Sequence, residues 1–295
     1  MKKDKPRARR RVSVYQAGIV ACISILLSGG FAALRLIPLT EAESVLLRIL
    51  ELSVCFLLPA YAGLLVLSGD QRKQIRLQQI TMNKAISALL MGVTLYFPCM
   101  LLRRAEKAAL GHLGIEFSLN NGFSPRLFLL NLLMMLILEP FVVSLYYDGY
   151  LFGAFRGRGR LEMLIPVGAF ALQMTLARGL MGAIITGILL VFVYRQSDNL
   201  LTAILFLIGT GLSGLVWEPL ENMIPMGILP VLTTLAGVLG ISVFSVNAKD
   251  YFSVPRGEKP MVLPKKLRFM RNDKALLILM SVVILFVILS AEVLS

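Results

Sequence analysis

Long runs of apolar residues, separated by short polar or basic segments, recur along the whole chain. Most of these runs supply the roughly 20 residues that an α-helix needs to cross a hydrocarbon core of about 30 Å. The runs are too long and too numerous for the interior of a soluble protein of 295 residues. The pattern predicts an all-α, polytopic membrane protein with nine spans, at about residues 13–36, 44–68, 84–102, 127–155, 161–177, 179–194, 199–217, 224–245 and 274–294.

The segments between the spans predict how the chain is organised. We interpret the basic start, MKKDKPRARRR, as a retained tail, because no convincing small-residue cleavage site follows the first apolar run. Three prolines and many cations argue against a folded domain in the last connection. The predicted parts are a basic cytoplasmic tail (1–12), three N-terminal spans (13–126), five core spans (127–245), a basic cytoplasmic linker (246–273) and a C-terminal transmembrane helix (274–295).

The positions of the basic residues along the chain account for the net charge of +13. If the N-terminus is cytoplasmic, most of the 30 basic residues fall in cytoplasmic segments, as expected for a multi-pass protein. We therefore predict a protein of a bacterial plasma membrane, with its N-terminus in the cytoplasm and its C-terminus outside. The cations alternate with spans and form no basic soluble domain, so nucleic acid is not an expected partner. The expected partner is the lipid bilayer.

Cysteine and histidine are scarce. Cys22, Cys55 and Cys99 each fall inside a predicted span, and no pair of them has the spacing of metal ligands. The single histidine, His112, lies in a predicted outside loop. Neither a metal site nor a bound cofactor is therefore predicted, and no span contains a histidine that could act as a base.

Local spacing predicts two features at the outer end of the second span. Thr40 followed by Glu43 fits a capping box at the start of that helix. Arg48 and Glu51 lie three residues apart, so they share a helical face and can pair. Arg35 lies at a similar depth at the end of the first span. Together they predict a structural network of ion pairs near the outer interface.

Two carboxylates, Glu139 and Asp148, lie inside the span at 127–155. At about 1.5 Å per residue, Glu139 lies ~20 Å into the membrane, near its midplane. Pro140 loosens the backbone hydrogen bonding beside it, which often shapes a cavity in a membrane helix. Because an intramembrane acid marks a functional site by default, we predict a polar cavity formed by Glu139, Ser144, Asp148 and Gln173.

The same acids also permit a purely structural interpretation. Glu139 then holds neighbouring helices together through hydrogen bonds. Asp148 lies nearer the inner interface, where Arg156 or Asn199 is within reach in principle. The sequence leaves both interpretations open.

The end of this span carries a family resemblance. The stretch Gly149-Tyr-Leu-Phe-Gly-Ala-Phe-Arg-Gly-Arg-Gly resembles the later part of the first motif of the CPBP family, the CAAX-protease and bacteriocin-processing membrane proteins also called Abi. The resemblance covers about residues 127–217 and implies the CPBP core fold. Its earlier part departs from the family, since the glutamate pair of the motif falls on Val143 and Ser144, and its arginine on Asp148.

The later family motifs also lack their chemical groups. The histidine of the second motif falls on Met174, and the residues of the third fall on Leu207 and Gly211. Family chemistry is thought to use a glutamate to activate water, with histidines and an asparagine orienting it and stabilising the oxyanion. The resemblance therefore implies a catalytically degenerate member, a pseudoprotease.

The outer end of the seventh span offers a candidate surface for a partner. Trp217 suits the headgroup level of a membrane, where it can serve as an anchor. With two glutamates it also forms an acidic lip that could dock an extracellular partner; the three residues are Trp217, Glu218 and Glu221.

The sequence is compatible with three functions from different classes. The first is a scaffold or regulator that binds a membrane or cell-envelope protein and catalyses nothing. The second is an active intramembrane endopeptidase of the CPBP family with rearranged catalytic residues. The third is a small transporter subunit that uses Glu139 and Asp148. The sequence favours the first.

Overall fold

The computed structural model describes residues 14–35, 37, 39–66, 80–112, 128–156, 160–223 and 228–253. In these ranges the chain is helical throughout, apart from short turns, and has no β-strand. The helices are α1 (Val14–Leu34), α2 (residues 41–66), α3 (Met82–His112), α4 (residues 128–155), α5 (Leu161–Arg178), α6 (Leu180–Ser197), α7 (Leu200–Met223) and α8 (Leu229–Ser253).

Seven of the helices in the described ranges are long and apolar enough to cross a membrane. The exception is α5, whose apolar part, Leu161–Thr175, is shorter. The all-α, polytopic class is thus confirmed, whereas the predicted count of nine spans is not. The predicted tail at 1–12 and the ninth span at 274–294 lie outside the described residues.

Several helices extend beyond the predicted ends of their spans, and α3 and α8 do so by the most residues. α3 continues to His112, through Arg103 and Arg104, and α8 continues to Ser253. A charged residue ends an apolar window in the sequence, but a charged side chain is compatible with a helix. The first residues of the predicted linker, 246–253, are thus helical, and the linker itself stays a prediction. His112 belongs to a helix rather than to a loop.

α4 lies at the centre of the helix packing. It contacts α1, α2, α5, α6 and α7, and 72% of the residues in its most apolar stretch are buried. The corresponding figure for α8, which packs mainly on α3, is 17%. α5 and α6 form an antiparallel hairpin around Gly179, which has a φ of 77°. A side chain at that φ would strain the backbone, so glycine suits this tight turn.

α3 and α7 approach each other closely, backbone against backbone. A Cβ atom added to Gly92 would overlap the carbonyl oxygen of Phe206, and one added to Gly209 would overlap that of Leu89. Ser213 Oγ donates a hydrogen bond across the same contact to the carbonyl oxygen of Val93, at 2.9 Å. Small residues let helix backbones approach in this way in membranes, where packing and hydrogen bonds drive association.

Candidate functional site

The acids of α2 and α4 lie beside widened, π-helical turns. In α2 the turn Leu52–Leu57 follows Glu51, and in α4 the turn Met134–Leu138 precedes Glu139. Each turn ends two residues before a proline, which has no N–H to donate, so the helix shifts its hydrogen bonding there. A third such turn, Leu145–Phe152, contains Asp148. Turns of this kind occur frequently at functional sites.

Glu139 belongs to a network of ion pairs that links α2 to α4. Arg48 Nη2 lies 2.8 Å from Glu139 Oε1, and Arg48 Nη1 lies 2.8 Å from Glu51 Oε2. Glu51 Oε2 also accepts a hydrogen bond from Arg35. The side chains of Glu51, Arg48 and Glu139 are only 5%, 17% and 21% exposed, so the network is largely withdrawn from the surface.

Arg178, the last residue of α5, adds a third cation to this network. Its charge interacts with those of Glu139 and Arg48, and its Nη2 donates a hydrogen bond to Thr210 Oγ1 of α7 at 3.3 Å. The predicted network of Arg35, Arg48 and Glu51 is therefore confirmed. Its extension to Glu139 and Arg178 was not predicted from the sequence. We call these five residues the arginine–glutamate cluster.

Gln173 lies in a second polar group, which connects four helices. Its Oε1 accepts a hydrogen bond from the Tyr147 hydroxyl of α4. Its Nε2 donates to Ser24 Oγ at 2.9 Å and to Ser28 Oγ at 3.2 Å, both in α1. Ser24 Oγ in turn donates to the carbonyl oxygen of Cys55 in α2. Interhelical hydrogen bonds of this kind hold membrane helices together.

Asp148 and Ser144 form a third polar group, in the interior of the helix packing. Both side chains are fully buried, and neither the Asp148 carboxylate oxygens nor Ser144 Oγ has a hydrogen-bond partner within the described residues. The Tyr194 ring of α6 packs edge-on against Phe152, one turn further along α4, with ring centroids 5.4 Å apart. A buried polar group without a partner is uncommon in native proteins and calls for an explanation.

Arg156, which the sequence leaves within reach of Asp148 in principle, pairs with Asp198 instead. Arg156 Nη1 lies 2.9 Å from Asp198 Oδ1, and Nη2 lies 3.4 Å from Oδ2. The reason is local, because the backbone leaves the helix at Arg156, where ψ is 130°, and the side chain turns outward. Asp198 meets it from the left-handed C-cap of α6. The four residues of the predicted cavity thus belong to three separate polar groups: Glu139 to the first, Gln173 to the second, and Asp148 and Ser144 to the third. A single cavity that joins them stays a prediction.

The buried acid in α4 leads to a prediction about stability. Replacing Asp148 with leucine should raise the free energy of unfolding by about 1–3 kcal/mol, because it removes a buried polar group that lacks a partner. Asp148→Asn should change the free energy of unfolding far less, since the asparagine amide would also be a buried polar group without a hydrogen-bond partner. Thermal unfolding of the purified variants in one detergent measures both. Destabilisation by Asp148→Leu would mean that the carboxyl group has a partner in the folded protein.

The structure describes only part of the predicted partner surface formed by Trp217, Glu218 and Glu221. Trp217 packs edge-on against Phe97 of α3, with ring centroids 5.5 Å apart, and its Nε1 is buried without a hydrogen-bond partner among the described residues. Glu218 and Glu221 belong to α7, but their side chains lie outside the described part of the structure. A partner at this surface stays a prediction.

Four of the positions where the CPBP motifs place their chemical groups are apolar and packed, whereas two others carry the buried polar residues Ser144 and Asp148. Val143, Met174 and Leu207 are 1%, 1% and 3% exposed and belong to one hydrophobic core. Gly211 lies against α4, where an added Cβ would be 3.1 Å from the carbonyl oxygen of Met135. Across the described ranges, no three His, Cys, Asp or Glu side chains are arranged to hold a metal ion.

Comparison with known proteins finds no match to a family model, a curated protein or a solved structure. The CPBP resemblance therefore depends on the motif residues between 127 and 217.

Proposed function

We propose that this chain is a catalytically degenerate protein of CPBP architecture, which acts as a scaffold or regulator of a membrane or cell-envelope protein. The observation that carries the proposal is the 2.8 Å contact between Arg48 and Glu139. Glu139 lies one turn before the position of the family's glutamates, and it is the carboxylate that would replace them. A carboxylate held in an ion pair is not free to take a proton from water.

The surroundings of Glu139 support the same proposal. A hydrolase needs a second group to orient water and a donor to stabilise the oxyanion. The corresponding family positions, Met174 and Leu207, carry side chains that neither accept nor donate a proton. The polar groups that do approach α4 hold helices together, which suits a rigid scaffold. The proposed topology places the N-terminus in the cytoplasm and the acidic lip at Trp217 outside.

The proposal is tested by crosslinking in intact membranes, followed by purification in mild detergent and quantitative mass spectrometry. We expect one membrane or envelope protein in a ratio near one to one. The double variant Glu218→Gln/Glu221→Gln should lower its recovery about tenfold or more, as for loss of a charge-assisted contact. Glu162→Gln in α5 serves as a control for the loss of an acidic side chain elsewhere.

Two results would contradict the scaffold. One is recovery of the protein alone from crosslinked membranes. The other is hydrolysis of membrane-anchored peptides by the purified protein, abolished by Glu139→Gln, which would favour an endopeptidase.

One observation favours a second candidate, a small transporter. Asp148 is a fully buried acid without a partner in the described part of the chain, and intramembrane acids often line proton or ion pathways. Ion flux into proteoliposomes that disappears with Asp148→Asn, and persists with the exposed control Asp198→Asn, would favour transport over the scaffold.

A further inference from the structure

The middle of α4 contains buried polar oxygens that make no hydrogen bond within the described residues. They are the two carboxylate oxygens of Asp148 and the hydroxyl oxygen of Ser144, and both side chains are fully buried. Ser144 lies four residues before Asp148, about one helical turn, so the two side chains lie on the same side of α4. Two neighbouring side chains thus present oxygen atoms without partners to the same region of the interior.

The carboxylate of Asp148 carries a charge that no ion pair balances in the described part of the chain. Arg156, the first cation after it along α4, pairs with Asp198. Arg48 pairs with the two carboxylates of the arginine–glutamate cluster. An ionised group in a membrane interior is costly unless it is paired. The surroundings of Asp148 therefore favour a ligand with one positive charge.

The packing around Asp148 is tight on one side and open on another. A Cβ atom added to Gly63 of α2 would overlap the ring of Tyr150, which belongs to the same π-helical turn as Asp148. Gly153, five residues after Asp148, is also buried. A Cβ atom added there would meet no other helix and no side chain within 4 Å, its two chain neighbours aside. The interior beside Gly153 thus leaves space for a small ligand.

The chemistry of the donor atoms narrows the choice of ligand. Carboxylate and hydroxyl oxygens are hard donors, which suit alkali and alkaline-earth ions better than softer transition metals. A divalent ion beside a single carboxylate would leave one positive charge over, whereas a monovalent ion balances it. The π-helical turn is enclosed by α2, α5, α6 and α7, so bulk water does not screen such an excess charge.

We infer that Asp148 and Ser144 bind a sodium ion at the π-helical turn of α4. Asp148 supplies the balancing charge and a carboxylate oxygen, and Ser144 supplies a hydroxyl oxygen. Membrane helices whose regular hydrogen bonding is interrupted are known sites of sodium coordination in transporters. The inference goes beyond the proposed scaffold. It also requires no transport, because a bound ion can serve simply to hold α4 in its packing.

The test measures the melting temperature of the purified full-length protein in one detergent and at one pH. Sodium chloride replaces choline chloride at constant ionic strength, so that general screening by salt is unchanged. An ion that binds only the folded state stabilises it by mass action. We expect a rise of about 2 °C or more when sodium is roughly tenfold above its dissociation constant.

Variants of the two ligands identify the site. Asp148→Asn should abolish the sodium-dependent rise, and Ser144→Ala should weaken the apparent affinity for sodium about threefold or more. Ser144→Ala keeps the test decisive if Asp148→Asn fails to fold. The matched controls are Asp198→Asn, which removes an exposed carboxylate, and Ser242→Ala, which removes an exposed hydroxyl of α8. Both controls should keep the full rise.

Asp148→Leu gives a further comparison. In choline chloride it should stabilise the protein, as expected above for the removal of a buried polar group without a partner. In sodium chloride its advantage over the native protein should shrink, because the native protein alone gains the bound ion. An advantage of the same size in both salts would contradict the inference.

The other outcomes are equally distinct. Equal melting temperatures in sodium and choline chloride would overturn the inference, as would equal rises in Asp148→Asn and Asp198→Asn. Stabilisation that depends on pH and not on sodium would assign the positive charge to a proton, and a larger rise with calcium chloride would assign it to a divalent ion. Either result would overturn the sodium site. None of these measurements depends on partner recovery from crosslinked membranes, so a failure of this site is distinguishable from a failure of the scaffold.

Discussion

Replacing Arg48 with methionine is expected to lower the free energy of unfolding by about 3–5 kcal/mol, the usual effect of removing one partner from a buried ion pair. The side chain is 17% exposed and bridges Glu51 of α2 and Glu139 of α4. Glu51 keeps its ion pair with Arg35, but Glu139 loses its 2.8 Å contact and stays largely buried, with only the weaker influence of the Arg178 charge. Unfolding in mixed detergent micelles, followed by circular dichroism, measures the loss.

A double-mutant cycle identifies the cause. Arg48→Met/Glu139→Met should recover much of the loss, because replacing both members of a buried pair with apolar groups is often neutral. Arg156→Met breaks the exposed pair with Asp198 and should change stability by less than about 1 kcal/mol. If Arg48→Met has an effect as small as Arg156→Met, the network does not hold α2 to α4.

Gly209→Leu should prevent α3 and α7 from packing as they do in the native protein. The added Cβ overlaps the carbonyl oxygen of Leu89, which belongs to the backbone and cannot rotate away. Overpacking a well-filled interior costs about 1–3 kcal/mol, and more where backbone must move. The expected result is a loss at or above 3 kcal/mol, measured by unfolding in detergent and by reduced yield of monodisperse protein.

The matched control is Gly168→Ala in α5. A Cβ at Gly168 meets no atom within 4 Å, so the substitution should be neutral or stabilising by up to about 1 kcal/mol, the difference in helix propensity. A Gly209→Leu variant as stable as Gly168→Ala would mean that α3 and α7 are further apart than the structure places them.

Features that depend on neighbouring residues were predictable from the sequence. The capping box is present as expected, with Glu43 N donating to Thr40 Oγ1 at 3.3 Å and Thr40 N donating to Glu43 Oε2 at 2.7 Å. The pair of Arg48 and Glu51 is also confirmed. Both follow from the three-residue spacing of a helical face, which tertiary packing does not change.

Features that depend on how helices pack were not predictable. Glu139 lies 91 residues after Arg48, and nothing in either segment indicates that α2 and α4 place them 2.8 Å apart. The pairing of Arg156 with Asp198 likewise depends on where α4 and α6 end. Helix ends themselves were misjudged at α3, because hydropathy falls at Arg103 while helix propensity continues to His112.

The contact between α3 and α7 constrains the order in which the protein is assembled during synthesis. Gly92 and Gly209 are 117 residues apart, so at 5–20 residues per second the ribosome needs roughly 6–23 s to make the second after the first. Throughout that interval the glycine face of α3 is bordered by lipid or by earlier helices. α3 therefore enters the membrane early and reaches its final neighbours late, when α7 and α8 have followed.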